Sequence, residues 1–191
     1  MRTDVLDAYG QTLAYVHARV AGTEDEQYTH PTPCSEWDVL ALLGHVTSVI
    51  HHYMALPGGQ RYDPLPEPAP AQGRYRQIFP SLASAAVTAW SQPDALERTC
   101  HHVMGDMPGW QALSIHVSDV LLHGWDLSVA TGQDDTIDPV LADLALTTLR
   151  DVLCLDQGRG RFFGAELTPA AGDVQSRLLA YAGRSWPPQR P

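Results

Sequence analysis

Apolar residues recur at helical spacing along most of the chain and predict a mainly α fold. In the segment 4–20 they fall three to four positions apart, which places them on one side of a helix. Similar patterns predict further helices over 35–55, 75–90, 110–130, 139–155 and 174–182. Four long helices with short additional ones predict an antiparallel four-helix bundle, formed by a single domain over residues 1–191.

Several residues at the ends of these segments support the predicted boundaries. Ser35 is expected to be the N-cap of the second helix, with Asp38 completing a weaker form of the capping box. Pro80 predicts a kink or a late start of the third helix. Gly132 is expected to cap the C-terminus of the fourth helix, and Pro139 suits the first turn of the fifth.

Three segments lack helical periodicity. Proline and glycine are dense over 57–73, which predicts a surface loop, and glycine over 158–172 predicts a loop or short extended structure. The segment 97–104 is compatible with a short strand or an extended connector, and 105–109 is expected to be a loop. The β content is therefore expected to be minor.

Charge and cysteine content narrow the function. With 12 basic and 22 acidic residues, the formal net charge of -10 argues against a nucleic acid or an anionic membrane as partner. The first 20 residues have no signal-peptide pattern, and no run of about 18 apolar residues predicts a membrane span. The widely spaced Cys34, Cys100 and Cys154 favour free thiols and a cytoplasmic location.

Asp119 and His123 form the most informative pair in the chain. Their spacing of four residues places a carboxylate and an imidazole on one face of the fourth helix, where both could bind one divalent metal ion. His45 on the second helix could supply a third ligand, and such a set leaves a coordination position open. The alternative is a plain Asp–His hydrogen bond, because a buried carboxylate needs a partner.

Other residues have weaker claims to this site. His116 lies on the same helix face and could be an additional ligand, a hydrogen-bond donor to one of the ligands, a catalytic base or a partly exposed hydrogen-bonding residue. His101 and His102 are expected at the surface, although one of them could approach the metal. Trp125 is expected in the core or in a pocket wall, and Cys34 is more often a structural residue than a nucleophile.

Residues 32–39 (TPCSEWDV), 43–46 (LGHV) and 119–127 (DVLLHGWDL) form two motifs that carry a family resemblance. They are similar to the opening and the second signature of the DinB-like, mycothiol-dependent maleylpyruvate isomerase superfamily, with Asp119 in place of a longer Glu. Within that superfamily the chain resembles the compact actinobacterial metal-binding subgroup in particular. The segment from 163 to 184 is similar to the C-terminal element of the compact subgroup.

The resemblance implies a DinB-like four-helix bundle with one divalent metal, held by His45, Asp119 and His123. Zinc is the expected metal, with nickel and iron as alternatives. The resemblance also implies a low-molecular-weight thiol such as mycothiol as cofactor or co-substrate. Three protein ligands of this kind leave a net charge of about +1 on a dication, which favours an anionic fourth ligand such as hydroxide or a thiolate.

These observations lead to the hypothesis of a metal-dependent thiol transferase or isomerase that acts on a small electrophilic substrate. In this hypothesis His116 is a proton shuttle and Trp125 contributes to the wall of the thiol-binding pocket. Two alternatives use the same ligands: a non-catalytic metal- or small-molecule-binding protein such as a sensor or resistance protein, and a metal-dependent hydrolase. The oligomeric state is open, with a homodimer as one option.

Overall fold

A computed structural model of the chain describes residues 2–35, 37–61, 74–153, 159 and 163–185. Within these ranges the fold is mainly α-helical and contains a single two-stranded sheet. The α-helices are α1 (Arg2–Ala21), α2 (Val39–Ala55), α3 (Tyr75–Trp90), α4 (Gly109–Thr131), α5 (Pro139–Thr147) and α6 (Val174–Tyr181). The strands are β1 (Thr99–His102) and β2 (Gly105–Pro108). The predicted mainly α fold with a minor β component is confirmed.

The first four helices form a four-membered bundle. Helix α1 packs against α3 and α4, and α2 packs against the same two helices, so that α1 and α2 occupy opposite corners. Helix α5 covers α4 from outside the bundle and also contacts α6. Helix α4 is buried over almost its entire length, including the polar side chains of His116, His123 and Asp126. Buried polar groups need partners, so α4 is the element on which polar side chains meet inside the bundle.

Helices α1 and α4 approach each other closely at Gly124. A Cβ atom at this position would lie 2.8 Å from both Tyr15 Cε1 and Val16 Cγ2. Only a residue without a side chain therefore permits this helix spacing without rearrangement. The adjacent His123 is thereby carried on a helix that is tightly packed against α1.

The predicted N-cap of α2 is wrong by three residues. Asp38, not Ser35, is the N-cap: its backbone is extended and its carboxylate accepts a hydrogen bond from the amide of Ala41. The preceding residues are held in a turn by their own hydrogen bonds, including one from the Trp37 amide to the Cys34 carbonyl. The helix therefore begins at Val39, after this turn is complete.

Residues 105–108 form strand β2 rather than the predicted loop. They pair antiparallel with β1, with Thr99 opposite Pro108 and His102 opposite Gly105. Gly105 has a φ of 112°, which a residue with a side chain rarely adopts, directly after the tight turn of the hairpin. The glycine and proline that suggested a loop, Gly105 and Pro108, are the first and last residues of this short strand.

The remaining boundaries agree more closely with the sequence. Helix α3 spans the predicted range with Pro80 inside it, and Gly132 caps α4 with a φ of 70°. Pro139 lies in the first turn of α5, where Asp138 is the N-cap. Helix α5 ends earlier than predicted and continues as a π-helical turn over Thr148–Val152. Two parts of the predicted loops lie outside the described residues, namely 62–73 and 158 with 160–162. The same applies to Cys154 and to the end predicted for α5.

The segment Val39–Gly58, which contains α2, is long and apolar enough to cross a membrane by length and composition alone. Half of it is buried against the rest of the fold. Buried core helices often have the same length and apolar composition, so this property alone is weak evidence for a membrane span.

Candidate metal centre

Helices α2 and α4 bring His45, Asp119 and His123 together. The Nε2 atom of His45 lies 3.8 Å from Asp119 Oδ2, and the Nε2 atom of His123 lies 3.4 Å from Asp119 Oδ1. The two imidazole rings meet edge to face with centroids 4.8 Å apart. One ligand atom from each residue lies within 4.8 Å of those of the other two. The structure thus places the three predicted ligands at one point between the two helices.

The separations of Asp119 from the two imidazoles suit a divalent metal ion, although each imidazole faces a different oxygen of the carboxylate. In a tetrahedral zinc site with bonds of about 2.0–2.1 Å, neighbouring ligand atoms lie about 3.3–3.5 Å apart. The separations of 3.4 and 3.8 Å involving Asp119 are close to that range. Two imidazole nitrogens and a carboxylate oxygen are also the donor types that zinc and related metals accept. The residues present therefore suit such an ion in both geometry and chemistry.

The three side chains differ in their access to solvent. The side chain of Asp119 is 36% exposed and that of His45 is 19% exposed, whereas His123 is almost completely buried. The centre is therefore enclosed on the side of α4 and opens to solvent beside Asp119. A fourth ligand could reach the three side chains from this open side.

Asp126 fixes the orientation of the buried ligand. Its Oδ2 atom lies 3.0 Å from His123 Nδ1, on the opposite side of the ring from Asp119. A carboxylate only accepts hydrogen bonds, so Nδ1 carries the proton and Nε2 is directed towards the other two ligands. A carboxylate in this position is the usual outer partner of a metal-binding histidine.

Arg184, from the segment after α6, neutralises Asp126. Its Nε donates to Asp126 Oδ1 across 3.3 Å and its Nη2 donates to Oδ2 across 3.2 Å. Asp126 has no exposed surface, and an ionised carboxylate in such a place requires a charged partner. Burial raises the pKa of Asp126, but the charges and hydrogen bonds of Arg184 and His123 outweigh this effect and lower it.

The ionisation of Asp119 and His123 follows from their contact. The partial burial of Asp119 and the nearly complete burial of His123 oppose their charges, yet their mutual attraction prevails: the pKa of Asp119 is held well below its usual range and that of His123 well above. His45 also lowers the pKa of Asp119, and Asp126 contributes to raising that of His123. A metal ion binding at this centre would have to displace the Nε2 proton of His123.

The turn before α2 supports both imidazoles. Thr32 is buried and its hydroxyl lies 2.8 Å from the Trp37 carbonyl oxygen and 3.1 Å from that of Cys34. The indole of Trp37 lies against both rings, with centroid distances of 4.5 Å to His45 and 5.7 Å to His123. This arrangement gives a structural role to the TPCSEWDV segment: it closes the turn, covers two ligands and starts the helix that carries one of them.

His116 lies in the core beneath these residues. It has no exposed surface, its ring stacks on Tyr53 with centroids 4.0 Å apart, and its Nε2 lies 3.1 Å from the Tyr9 hydroxyl. Burial lowers the pKa of His116 to about 3, so the ring is neutral at pH 7. The proton-shuttle role remains a prediction, and complete burial in the neutral form disfavours it.

His101 and His102 occupy different environments on β1. His101 is partly exposed and pairs with Asp106 across the hairpin, with 2.9 Å between Nδ1 and Oδ1. His102 is buried, contrary to the expected surface position, and its Nε2 lies 2.6 Å from the Tyr53 hydroxyl. The alternation of side chains along a strand explains the difference, because the hairpin turns one histidine inward and the other outward.

Trp125 borders a different cavity. The indole is 4% exposed and lines a space of about 750 Å³ together with Arg184, Leu179 and residues of 166–170. None of the three candidate ligands is among the described residues that line this cavity. Its connection to the centre runs through Arg184, which lines the cavity and binds Asp126. The binding of a thiol at Trp125 remains a prediction.

The sequence interpretation assigned no role to Asp126, Arg184 or Trp37 at this centre. Asp126 follows His123 by three residues and therefore shares its helix face, so this spacing alone could have predicted a contact between the two side chains. Arg184 is 58 residues away from Asp126, and no spacing rule connects the two. Trp37 precedes the helix that carries His45, and only the geometry of the turn places it on the imidazoles.

Comparison with known proteins agrees with this architecture. Residues 9–128 match the family model described as "Mycothiol maleylpyruvate isomerase N-terminal domain", and this range includes all three candidate ligands. Two proteins of Mycobacterium tuberculosis, "Uncharacterized protein MT0763" and "Uncharacterized protein Rv0738", are each 30% identical to the chain over 181 residues. Each match covers 94% of this chain and 93% of the relative. No solved structure matches the chain. The chain belongs to the family defined by the mycothiol maleylpyruvate isomerase N-terminal domain, within the DinB-like superfamily.

Proposed function

We propose that the protein is an enzyme that binds one divalent metal ion, zinc in the first instance, and uses it to activate a low-molecular-weight thiol. The observation that carries the proposal is the convergence of His45, Asp119 and His123 on one point that is open to solvent beside Asp119. Three protein ligands leave a coordination position for a further molecule, as in catalytic rather than structural zinc sites. Family membership supports a thiol of the mycothiol type as that molecule.

When bound, the metal would lower the pKa of the thiol and hold the resulting thiolate in place. The charges of the protein residues suit this task. Asp119 supplies one negative charge and the two imidazoles are neutral as ligands, so the centre retains about one positive charge and attracts an anion. Asp126 is already neutralised by Arg184 and therefore adds little to the negative charge around the centre.

The reaction we propose is attack of the thiol sulfur on an electrophilic carbon of a small substrate. The sulfur adds to an activated C=C bond of the substrate: the new S–C bond forms as the π bond breaks, and the neighbouring carbon takes up a proton in exchange for the proton that the thiol released. If the adduct is retained, the reaction is a transfer; if it undergoes bond rotation and then loses the thiol, the reaction is an isomerisation. The exposed side of Asp119 is the place where both reactants can reach the centre, since His123 is enclosed.

Metal content is the first test of the proposal. Purified protein reconstituted with zinc should retain one equivalent per chain after gel filtration, and His123→Ala should retain none. His51→Ala is the matched control, because His51 is an exposed histidine on α2 away from the centre. Full retention of zinc by His123→Ala would exclude His123 as a ligand and contradict the proposed centre.

Cobalt substitution tests the thiol. If a thiol binds the metal, adding a low-molecular-weight thiol to the cobalt-loaded protein should produce a sulfur-to-cobalt charge-transfer band, and the band should be absent in Asp119→Ala if the metal is lost. Incubation with a panel of electrophiles then separates the alternatives. Turnover only with thiol supports the proposal, turnover without thiol indicates hydrolysis, and stoichiometric binding without turnover indicates a binding protein.

A further inference from the structure

We propose that Cys34 is a positioning residue of the metal centre, whose thiol holds Asp126 in the orientation that keeps His123 directed towards the metal. The inference rests on the metal site of the proposed function. Cys34 Sγ lies 3.4 Å from Asp126 Oδ2 and 3.9 Å from His123 Nδ1. The contact with Asp126 is a hydrogen bond donated by the thiol, because a carboxylate has no proton to give.

Three donors converge on a single oxygen of Asp126. Oδ2 accepts from His123 Nδ1 at 3.0 Å, from Arg184 Nη2 at 3.2 Å and from Cys34 Sγ at 3.4 Å. They come from three parts of the chain: α4 itself, the segment after α6 and the turn before α2. All three hydrogen bonds depend on the position of this one oxygen. A movement of Oδ2 away from His123 would therefore also alter its contacts with Arg184 and Cys34.

The turn that carries Cys34 is held in place by hydrogen bonds of its own. The Cys34 amide donates to the Thr32 hydroxyl across 3.2 Å, and its carbonyl accepts from the Trp37 amide across 2.8 Å. The same turn places the Trp37 indole on the rings of His45 and His123. Cys34 and Trp37 thus both act on the ligand set from one short segment, Cys34 through Asp126 and Trp37 by direct packing.

The expected size of the effect is that of one ordinary hydrogen bond. A net contribution of about 0.7–1.4 kcal/mol, which is typical of a hydrogen bond, corresponds to roughly a three- to tenfold change in a binding constant. Loss of Asp126 itself would have a larger effect, because it is the direct partner of the ligand. Cys34 is therefore expected to tune metal affinity and not to abolish it.

The test compares zinc affinity in Cys34→Ala, Cys34→Ser and Cys100→Ala, measured by competition with a chromophoric chelator. Cys100 is a second free cysteine, buried on β1, and serves as the matched control. We expect Cys34→Ala to bind zinc three- to tenfold more weakly and Cys34→Ser, which keeps a donor, to lose less. Cys100→Ala is expected to keep wild-type affinity. Equal affinity in Cys34→Ala and wild type, or equal losses in all three variants, would overturn the inference.

A second readout on chelator-treated protein keeps the inference independent of metal binding. The imidazole Nδ1–H proton of His123, assigned by its loss in His123→Ala, should exchange with water at least threefold faster in Cys34→Ala than in wild type. Unchanged exchange in Cys34→Ala would count against the proposed role of Cys34. If the alanine variant does not fold, Cys34→Ser becomes the test: it keeps a donor and should keep the slow exchange of wild type, so faster exchange in this variant would count against the role. Failure of wild type to bind zinc would contradict the proposed function alone. Complete loss of zinc binding in Cys34→Ala would overturn the positioning role and indicate that Cys34 is itself a ligand.

Discussion

Asp126 lies three residues after His123 on the same helix, and its carboxylate accepts a hydrogen bond from His123 Nδ1 across 3.0 Å. This contact decides which nitrogen of His123 faces Asp119 and His45. It also links the candidate metal centre to the C-terminal segment, because Arg184 binds both oxygens of Asp126. The geometry of the centre thus depends on residues well outside the set of ligands.

Replacement of Asp126 by asparagine should weaken metal binding without abolishing the fold. The amide keeps the shape of the side chain but loses the charge that stabilises the Nδ1–H form of His123 and pairs with Arg184. Zinc affinity should fall by about 10- to 100-fold, the usual effect of removing an outer partner of a ligand. Competition titration against Asp134→Asn, an exposed carboxylate near Arg19, provides the control. Equal affinity in the two variants would contradict the role of Asp126.

Metal affinity should increase with pH. Because Asp119 and Asp126 raise the pKa of His123, a metal ion competes with a proton for Nε2 at neutral pH. Below that raised pKa the binding constant should rise by about tenfold per pH unit, and it should level off above it. Asp119 adds no pH dependence in this range because its pKa is held well below the usual value.

Calorimetric titrations in buffers of different ionisation enthalpy would count the protons released on metal binding. About one proton per metal ion is expected near neutral pH, and His51→Ala should give the same number. A binding constant that does not change between pH 5 and pH 8 would argue against His123 as a ligand.

His116 should make the protein less stable as the pH falls. The pKa of His116 is about 3 in the folded protein, whereas an unperturbed histidine has a pKa of 6.5. As the pH falls from 6.5 towards 3, His116 therefore becomes protonated in the unfolded chain but not in the folded protein. Stability attributable to His116 is therefore lost as the pH decreases through this window. Between pH 7 and pH 5 the loss should be about 2 kcal/mol for this group.

Denaturant unfolding of His116→Leu at the two pH values would measure the effect. The variant should be less sensitive to pH than wild type by about that amount, whereas His51→Leu should behave as wild type. The same pH sensitivity in His116→Leu and wild type would show that His116 is protonated more readily than its burial indicates.

Alanine at Gly124 should destabilise the fold, whereas alanine at Gly10 should stabilise it. A Cβ at Gly124 would be forced against Tyr15 and Val16 of α1, and overpacking of this kind costs about 1–3 kcal/mol. A Cβ at Gly10 of α1 would meet no atom within 4 Å, so the better helix propensity of alanine should add about 0.5–1 kcal/mol. Thermal unfolding of both variants would check the pair; opposite signs are required.

The sequence by itself determined most of the helices and singled out the three candidate ligands. Periodic apolar positions fixed α1, α3, α4 and α6 to within two residues at each end, because burying one side of a helix requires that periodicity. The spacing of Asp119 and His123 placed both on one helix face for the same reason. The sequence was less reliable where local signals compete: hydrogen bonds in the turn move the start of α2 from Ser35 to Asp38, and pairing turns 105–108 into a strand.

Only the tertiary structure decided how the centre is supported. The position of His45 opposite Asp119 depends on the packing of α2 against α4, and the contacts of Cys34 and Arg184 with Asp126 join segments 92 and 58 residues apart. The burial that makes His116 neutral likewise arises from Tyr9 and Tyr53 on two other helices. Contacts between distant segments depend on how whole helices pack against one another, so they follow no periodicity along the chain. Local sequence patterns indicate only which surface each helix buries.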